Sequence, residues 1–176
     1  MTLYKLGEDR VPVVGKDTHA FETAVIIGKV IIGDKCYIGP GAAIKGDYGE
    51  IIIGSRNSIQ ENVIIHARPE EKTVIGSDVT VGHGAILHNC EVEDGAVIGM
   101  GAIVSDYAHV GREAVVGEGA VVRQYQKIPA GAVAVGIPAK VISETVKPEI
   151  REELSRYKGT YVKLAQQYNE LLKKLE

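Results

Sequence analysis

Three of the chain's five histidines are His66, His83 and His88, and neutral imidazole is the commonest protein ligand for zinc and similar ions. Three such ligands, each about 2.0–2.1 Å from one ion, leave a fourth position open, where a bound water has its pKa lowered to near 7. That would supply hydroxide at neutral pH for attack on a carbonyl carbon. Local spacing speaks against the site. His83 and His88 lie five residues apart in the apolar, glycine-bearing run VGHGAILHNC. Five is a poor step for one helix face and an odd one for one strand face. Whether the three meet depends on the elements that carry them.

Those elements are written in a six-residue period. Large apolar positions recur at Ala20, Ile26, Ile32, Ile38 and Ile44, and resume after three extra residues at Ile53, Ile59 and Ile65. After four more they continue at Ile75, Val81 and Leu87, then, one residue short, from Val92 through Ile98, Val104, Val110, Val116, Val122 and Ile128 to Ala134. The next residue is often Gly (33, 39, 54, 76, 82, 99, 111, 117), which fits a corner with positive φ, and the fourth after is small, from Ala24 and Cys36 to Ala132. A helical period of 3.6 cannot yield this pattern, and hairpins would need a turn signal every 8–12 residues. A parallel β-solenoid can, with one hexapeptide per side and three sides per coil. One Phe, no Trp and 21 Gly leave Val, Ile and Ala to fill its core.

The period stops at Ser143, dividing the chain into a repeat domain at 1–142 and a C-terminal segment at 143–176. Pro148 suits a first helical position. Ile150, Leu154, Tyr157, Tyr161, Leu164, Tyr168 and Leu171 mark the apolar face of a helix packed along the solenoid, with Gly159 expected to kink or divide it.

In this frame the histidines sort by column. His66 follows Ile65 and His88 follows Leu87; their separation of 22, less the four inserted residues, is one coil of 18. They should stack on adjacent rungs, about 4.8 Å apart, in a slot where Gly is common, with Lys45 in the same column. His83 lies on the preceding side of the coil, separated from His88 by about 16 Å of extended chain. One chain cannot bring it to the ion, but a symmetric neighbour can. The spacing therefore predicts a metal site built between subunits. His19 and His109 are expected to face solvent, and Cys36 and Cys90 to be structural.

Net charge is −3, with no basic stripe interleaved with aromatics, so nucleic acid is not an expected partner. No apolar run approaches membrane-spanning length, and the opening residues lack a signal-peptide layout. The expected setting is cytoplasmic, without a membrane. Two cysteines make no disulfide framework.

The stretches KGDYGEIIIG, NSIQENVIIHA and TVGHGAILHNC resemble the γ-class carbonic anhydrase family, closest to its short relatives from phenylacetate-degradation and carnitine operons. The closing AVGIPAKVI (134–142) looks like the exit sequence of left-handed β-helices. The resemblance spans nearly the whole chain. It implies a mainly β fold, a left-handed parallel β-helix with a C-terminal α-helix, forming a homotrimer with one three-histidine site per interface. The implied ion is zinc, with iron or cobalt as alternatives that three histidines do not discriminate. Gln60 and Glu61 match the pair beside the metal, Gln60 to orient hydroxide or substrate and Glu61 to handle a proton. Asp47, with Lys45, would support the interface, and Tyr161 would close the pocket from the helix.

There are departures from the family pattern. Lys45 replaces an Arg and loses its bidentate fork. Tyr48 stands where well-characterised members carry a proton-handling Glu. The 67–74 loop is short, so Glu70 or Glu71 stands in for the missing proton shuttle or both are solvated loop charges. The implied activity is reversible hydration of CO2 to bicarbonate, slowed by poor proton export. Three other readings stay open: a metal-dependent acyl-CoA thioesterase, a hexapeptide acyltransferase with a histidine base and no metal, and a non-catalytic relative.

Overall fold

The computed structural model describes residues 1–175. The chain forms a parallel β-solenoid with one C-terminal helix. One face stacks seven short parallel strands, His19–Ala20, Tyr37–Ile38, Ser58–Ile59, Thr80–Val81, Val97–Ile98, Val115–Val116 and Val133–Val135. The other two faces share a twelve-stranded sheet, because Val25–Ile32 and Ala43–Ile53 run round the corner between them. The last strand, Lys140–Ser143, turns back antiparallel to Val133–Val135 and ends the stack.

The six-residue pattern is the packing rule of the interior. Large residues such as Ile26, Ile44, Ile65, Leu87 and Ile98 are fully buried, and so are the small ones, Ala24, Ala42, Val63, Ala85 and Ala96. Each side sends one large and one small residue inward, which fills a triangular core densely without aromatics.

The corners differ from the sequence expectation. Positive φ does not fall on the glycine after each large residue. It falls two residues later, on Gly41 and Gly84, and also on Lys35, Asn62, Asp78, Tyr107 and Tyr125, whose φ lies between 57° and 61°. The glycines after the large residues are there for space: a Cβ on Gly82 would sit 2.7 Å from the Met100 nitrogen of the next coil. This crowding affects two faces only. On the third, the same slot holds Lys45, His66, His88 and Ser105. The two histidines thus occupy a slot that accepts side chains and do not displace a default glycine.

The helix, Pro148–Leu171, begins at its proline and packs on the seven-strand face. It continues unbroken through Gly159, whose position is open to solvent, so the residue costs helix propensity, about 1 kcal/mol, without forcing a kink. Ala165 is buried against the solenoid with Leu154, Lys158, Tyr161, Val162 and Tyr168 half-buried, whereas Ile150, Tyr157 and Leu171 are exposed. The helix also covers His19, correcting the expectation that this residue faces solvent. His19 Nδ1 lies 2.8 Å from Asn169 Oδ1, and its ring meets Phe21 edge to face. His109 is half-buried and paired with Glu93 at 3.0 Å. Cys36 and Cys90 are buried free thiols. No helix among the described residues is long and apolar enough to cross a membrane.

Candidate metal centre

Lys45, His66 and His88 are directly paired across three adjacent strands. The ladder brings His66 Nδ1 to 3.2 Å from His88 Nε2, with ring centroids 5.2 Å apart. The remaining nitrogen of each ring is held by a carboxylate. His66 Nε2–H donates to Asp47 Oδ1 at 2.9 Å, and His88 Nδ1–H donates to Asp106 Oδ1. A carboxylate accepts only, so these bonds place the protons on the outer nitrogens and leave lone pairs on the two that face each other. Two acceptors at 3.2 Å repel unless a proton or a cation lies between them. Two ligands at 2.0–2.1 Å from a tetrahedral ion stand about 3.3 Å apart. The pair therefore fits half of a metal site, with the outer-shell carboxylates that metal-bound histidines ordinarily carry.

Asp47 also accepts from Lys45 Nζ at 3.0 Å, and its backbone carbonyl accepts from Arg10. Burial opposes its ionisation, but the His66 and Lys45 hydrogen bonds and the Lys45 charge hold the carboxyl below its usual range. Asp106 shares its second oxygen with Arg68 at 3.0 Å. Sequence reasoning missed Asp106. The signal was available, since Asp106 lies one coil after His88 and one residue further along.

The other histidine stands at a different corner. Glu61 and His83 are each the second residue after a large inward one, on adjacent coils. Glu61 Oε2 lies against His83 Nδ1 in an ion-pair contact whose angle is not that of a directed hydrogen bond, and the atom has no other partner. Gln60 is buried, and its Oε1 accepts from the His83 backbone N–H at 3.2 Å. Behind them the Tyr37 hydroxyl donates to Glu61 Oε1 at 2.6 Å, and Tyr161 packs on Tyr37 with centroids 5.1 Å apart. Burial opposes a charge on Glu61, yet the Tyr37 hydrogen bond, the backbone and His83 keep its carboxyl below the usual range. Burial and then the Glu61 charge push the Tyr161 phenol up. Tyr161 thus backs the Glu61 side of the site.

The two half-sites do not converge within one chain. Among the described residues no group of three or more His, Cys, Asp or Glu side chains is arranged to hold an ion. The side chains of His66, His83 and His88 are 26%, 46% and 38% exposed. Beside the His66–His88 column runs a second outward column, Ile64, Ile86 and Ile103, in strand register and at least 36% exposed.

The loop residues separate. Glu71 is tied down, accepting from Asn89 Nδ2 and, at 2.9 Å, from the Tyr107 hydroxyl. Glu70 and Tyr48 are exposed.

Stacked hexapeptide coils with one C-terminal helix define a hexapeptide-repeat β-helix protein. No family model matches the chain. It is 39% identical over 162 residues to the carbonic anhydrase of Geobacillus kaustophilus, covering 92% of this chain and 88% of that one. It is 35% identical to the carnitine operon protein CaiE of Salmonella agona, over 84% of this chain and 74% of that one. With the mitochondrial gamma carbonic anhydrase 2 of Arabidopsis thaliana the identity is 38% over 90% of this chain, which spans 59% of the plant protein's length. A Bacillus cereus crystal structure provisionally described as an acetyltransferase superposes with a TM-score of 0.93 at 36% identity, covering 97% of this chain and 98% of that one. The chain belongs to the gamma carbonic anhydrase and CaiE family.

Proposed function

We propose that this protein is a metal-dependent carbonic anhydrase, hydrating CO2 to bicarbonate at sites shared between the subunits of a homotrimer. The observation that carries the reading is the pair of facing lone pairs on His66 and His88, 3.2 Å apart and each backed by a carboxylate. That arrangement is stable around a cation. His83 of a neighbouring subunit would complete the ligand set, brought there by contact along the Ile64–Ile86–Ile103 column. When bound, zinc, or iron or cobalt in its place, supplies hydroxide at neutral pH and polarises a carbonyl oxygen.

The chain's own residues do the rest. Asp47 and Asp106 fix the tautomers of His66 and His88. Glu61 favours the proton on His83 Nδ1 and frees Nε2. Gln60 is held by the His83 backbone with its amide N–H2 left to orient CO2 or bicarbonate. Tyr161 and Tyr37 wall off the Glu61 side from bulk water. Proton export is the weak step. Tyr48 offers an exposed phenol in place of a carboxylate that would accept the proton. Glu71 is already engaged by Asn89 and Tyr107.

The test is an isotope-exchange CO2 assay on zinc-loaded protein and on protein iron-loaded without oxygen, run beside short acyl-CoA thioesters. CO2 exchange that depends on metal and is lost in His88→Ala supports the reading. Metal-dependent thioester cleavage without CO2 exchange would assign the same centre to hydrolysis. Acetyl transfer from acetyl-CoA to an amine or hydroxyl acceptor, with release of free CoA, by metal-free protein would favour the activity suggested by the description of the Bacillus cereus structure.

A further inference from the structure

A buried phenol stands directly behind the candidate third ligand. Tyr37 is 2% exposed and carries its ring outward from the seven-strand face, one coil before Ser58. Most positions in this outward column hold small or β-branched residues: Ser58, Thr80, Val97, Val115 and Val133. Tyr37 is large where they are small, and the helix packs against its ring. Phe21 lies at 6.1 Å between centroids, Tyr161 at 5.1 Å and Tyr168 at 6.1 Å, the last two from the helix. With aromatic neighbours from both the solenoid and the helix, the ring has little freedom to swing and its hydroxyl has one fixed position.

From that position the hydroxyl donates to Glu61 Oε1 at 2.6 Å, in the short range of hydrogen bonds to an ionised acceptor. The other Glu61 oxygen has no hydrogen-bond partner and faces His83 Nδ1. Among the described residues the phenol is the one side-chain hydrogen-bond donor on the carboxylate, and without it the group keeps only the backbone and the His83 contact. The whole group, 34% exposed, could then turn to water. His83 needs the support more than its counterparts. His66 and His88 are braced by Asp47 and Asp106 through hydrogen bonds, whereas His83 precedes Gly84 at a corner and its side chain is 46% exposed.

We propose that Tyr37 is a positioning residue for His83, acting through Glu61, and that the C-terminal helix serves the candidate metal centre by clamping this phenol. The inference rests on the metal-site reading above. It assigns to the helix a task at the site without any helix residue touching the ion. It also gives Glu61 a role in orienting a ligand, which accounts for a half-buried carboxylate beside an otherwise lightly held imidazole.

The test uses the full-length assembled protein and three variants, Tyr37→Phe, Glu61→Gln and the double substitution. Phe keeps the ring packing and removes one oxygen, and a melting temperature near that of the unsubstituted protein shows that the fold is retained. In metal-free protein, side-chain 15N NMR should find the His83 proton mainly on Nδ1, shifting toward a mixture of tautomers in Tyr37→Phe. Zinc affinity by chelator competition should fall about tenfold in Tyr37→Phe, the lower end of what outer-shell changes cost. The double variant should lose no more than Glu61→Gln alone, because both changes cut one route. Unchanged His83 nitrogen shifts in Tyr37→Phe, or zinc losses that add in the double variant, would overturn the proposal. If the unsubstituted protein binds no zinc, the proposed function fails, while the NMR comparison still decides for or against Tyr37.

Discussion

Asp106 gives the sharpest single test of how the histidine pair is set up. Its Oδ1 accepts from His88 Nδ1–H, and its Oδ2 accepts from Arg68 at 3.0 Å. Replacing it with Asn leaves a carbonyl that can still accept the imidazole proton but removes the charge that raises the basicity of Nε2. Replacing it with Ala removes both. Loss of an outer-shell partner typically lowers metal affinity 10- to 100-fold, about 1.4–2.7 kcal/mol. Because Asn keeps the acceptor, Asp106→Asn should fall near the lower bound and Asp106→Ala near the upper. The Arg68 pair is a confounder that can be bounded. Arg68 is 46% exposed, and an exposed ion pair is worth at most about 1 kcal/mol. Arg68→Met should therefore change zinc affinity less than about fivefold. The assay is competition against a chromogenic zinc chelator at fixed protein concentration, with assembly checked by light scattering. If Asp106→Ala binds zinc as tightly as the unsubstituted protein in intact oligomers, the carboxylate does not set the ligand nitrogen and the lone-pair argument is wrong.

Three more outcomes follow from the same geometry. Mixing His83→Ala subunits with His66→Ala/His88→Ala subunits should restore part of the zinc content that each lacks alone; full zinc in either homogeneous variant, or in a monomer, would exclude a shared site. CO2 exchange should accelerate with buffer concentration, because buffer carries the proton that Tyr48 and the engaged Glu71 do not, and Tyr48→Glu should weaken that dependence when rates are measured across a buffer series. Asp47 and Glu61 have carboxyls held below their ordinary values of 3.8 and 4.5, so their share of stability is complete above those values and is lost as pH falls through the lower folded ones. The melting temperature should accordingly drop below about pH 4.5, and less steeply in Glu61→Gln.

The solenoid was legible because its core obeys a rule local in sequence: one large and one small inward residue per six, with no dependence on distant partners. The pairing of His66 with His88 followed, once inserted residues were subtracted, because parallel coils convert sequence distance directly into rung number. What was not legible depended on contacts between a column and something outside it. Tyr37 reaches Glu61 across a coil, and His19 is covered by a helix more than a hundred residues later. The misplaced positive φ has a simpler cause. Glycine relieves either backbone conformation or close approach, and composition alone does not say which.

In most metalloproteins the distance between two ligands depends on loops, and a loop can relax. Here that distance is the separation of adjacent strands, about 4.8 Å between backbones, reduced at the imidazole tips to 3.2 Å by the lean of the rings. The bite of the proposed chelate is thus a lattice constant, maintained by the backbone hydrogen bonds of the ladder above and below it. A change that strains the core is then resisted over the length of the stack before it reaches the ligands. The construction is also modular: moving the paired histidines up or down by one coil would reproduce the same bite at a new height on the same face, with the neighbour's third ligand shifted by the same step.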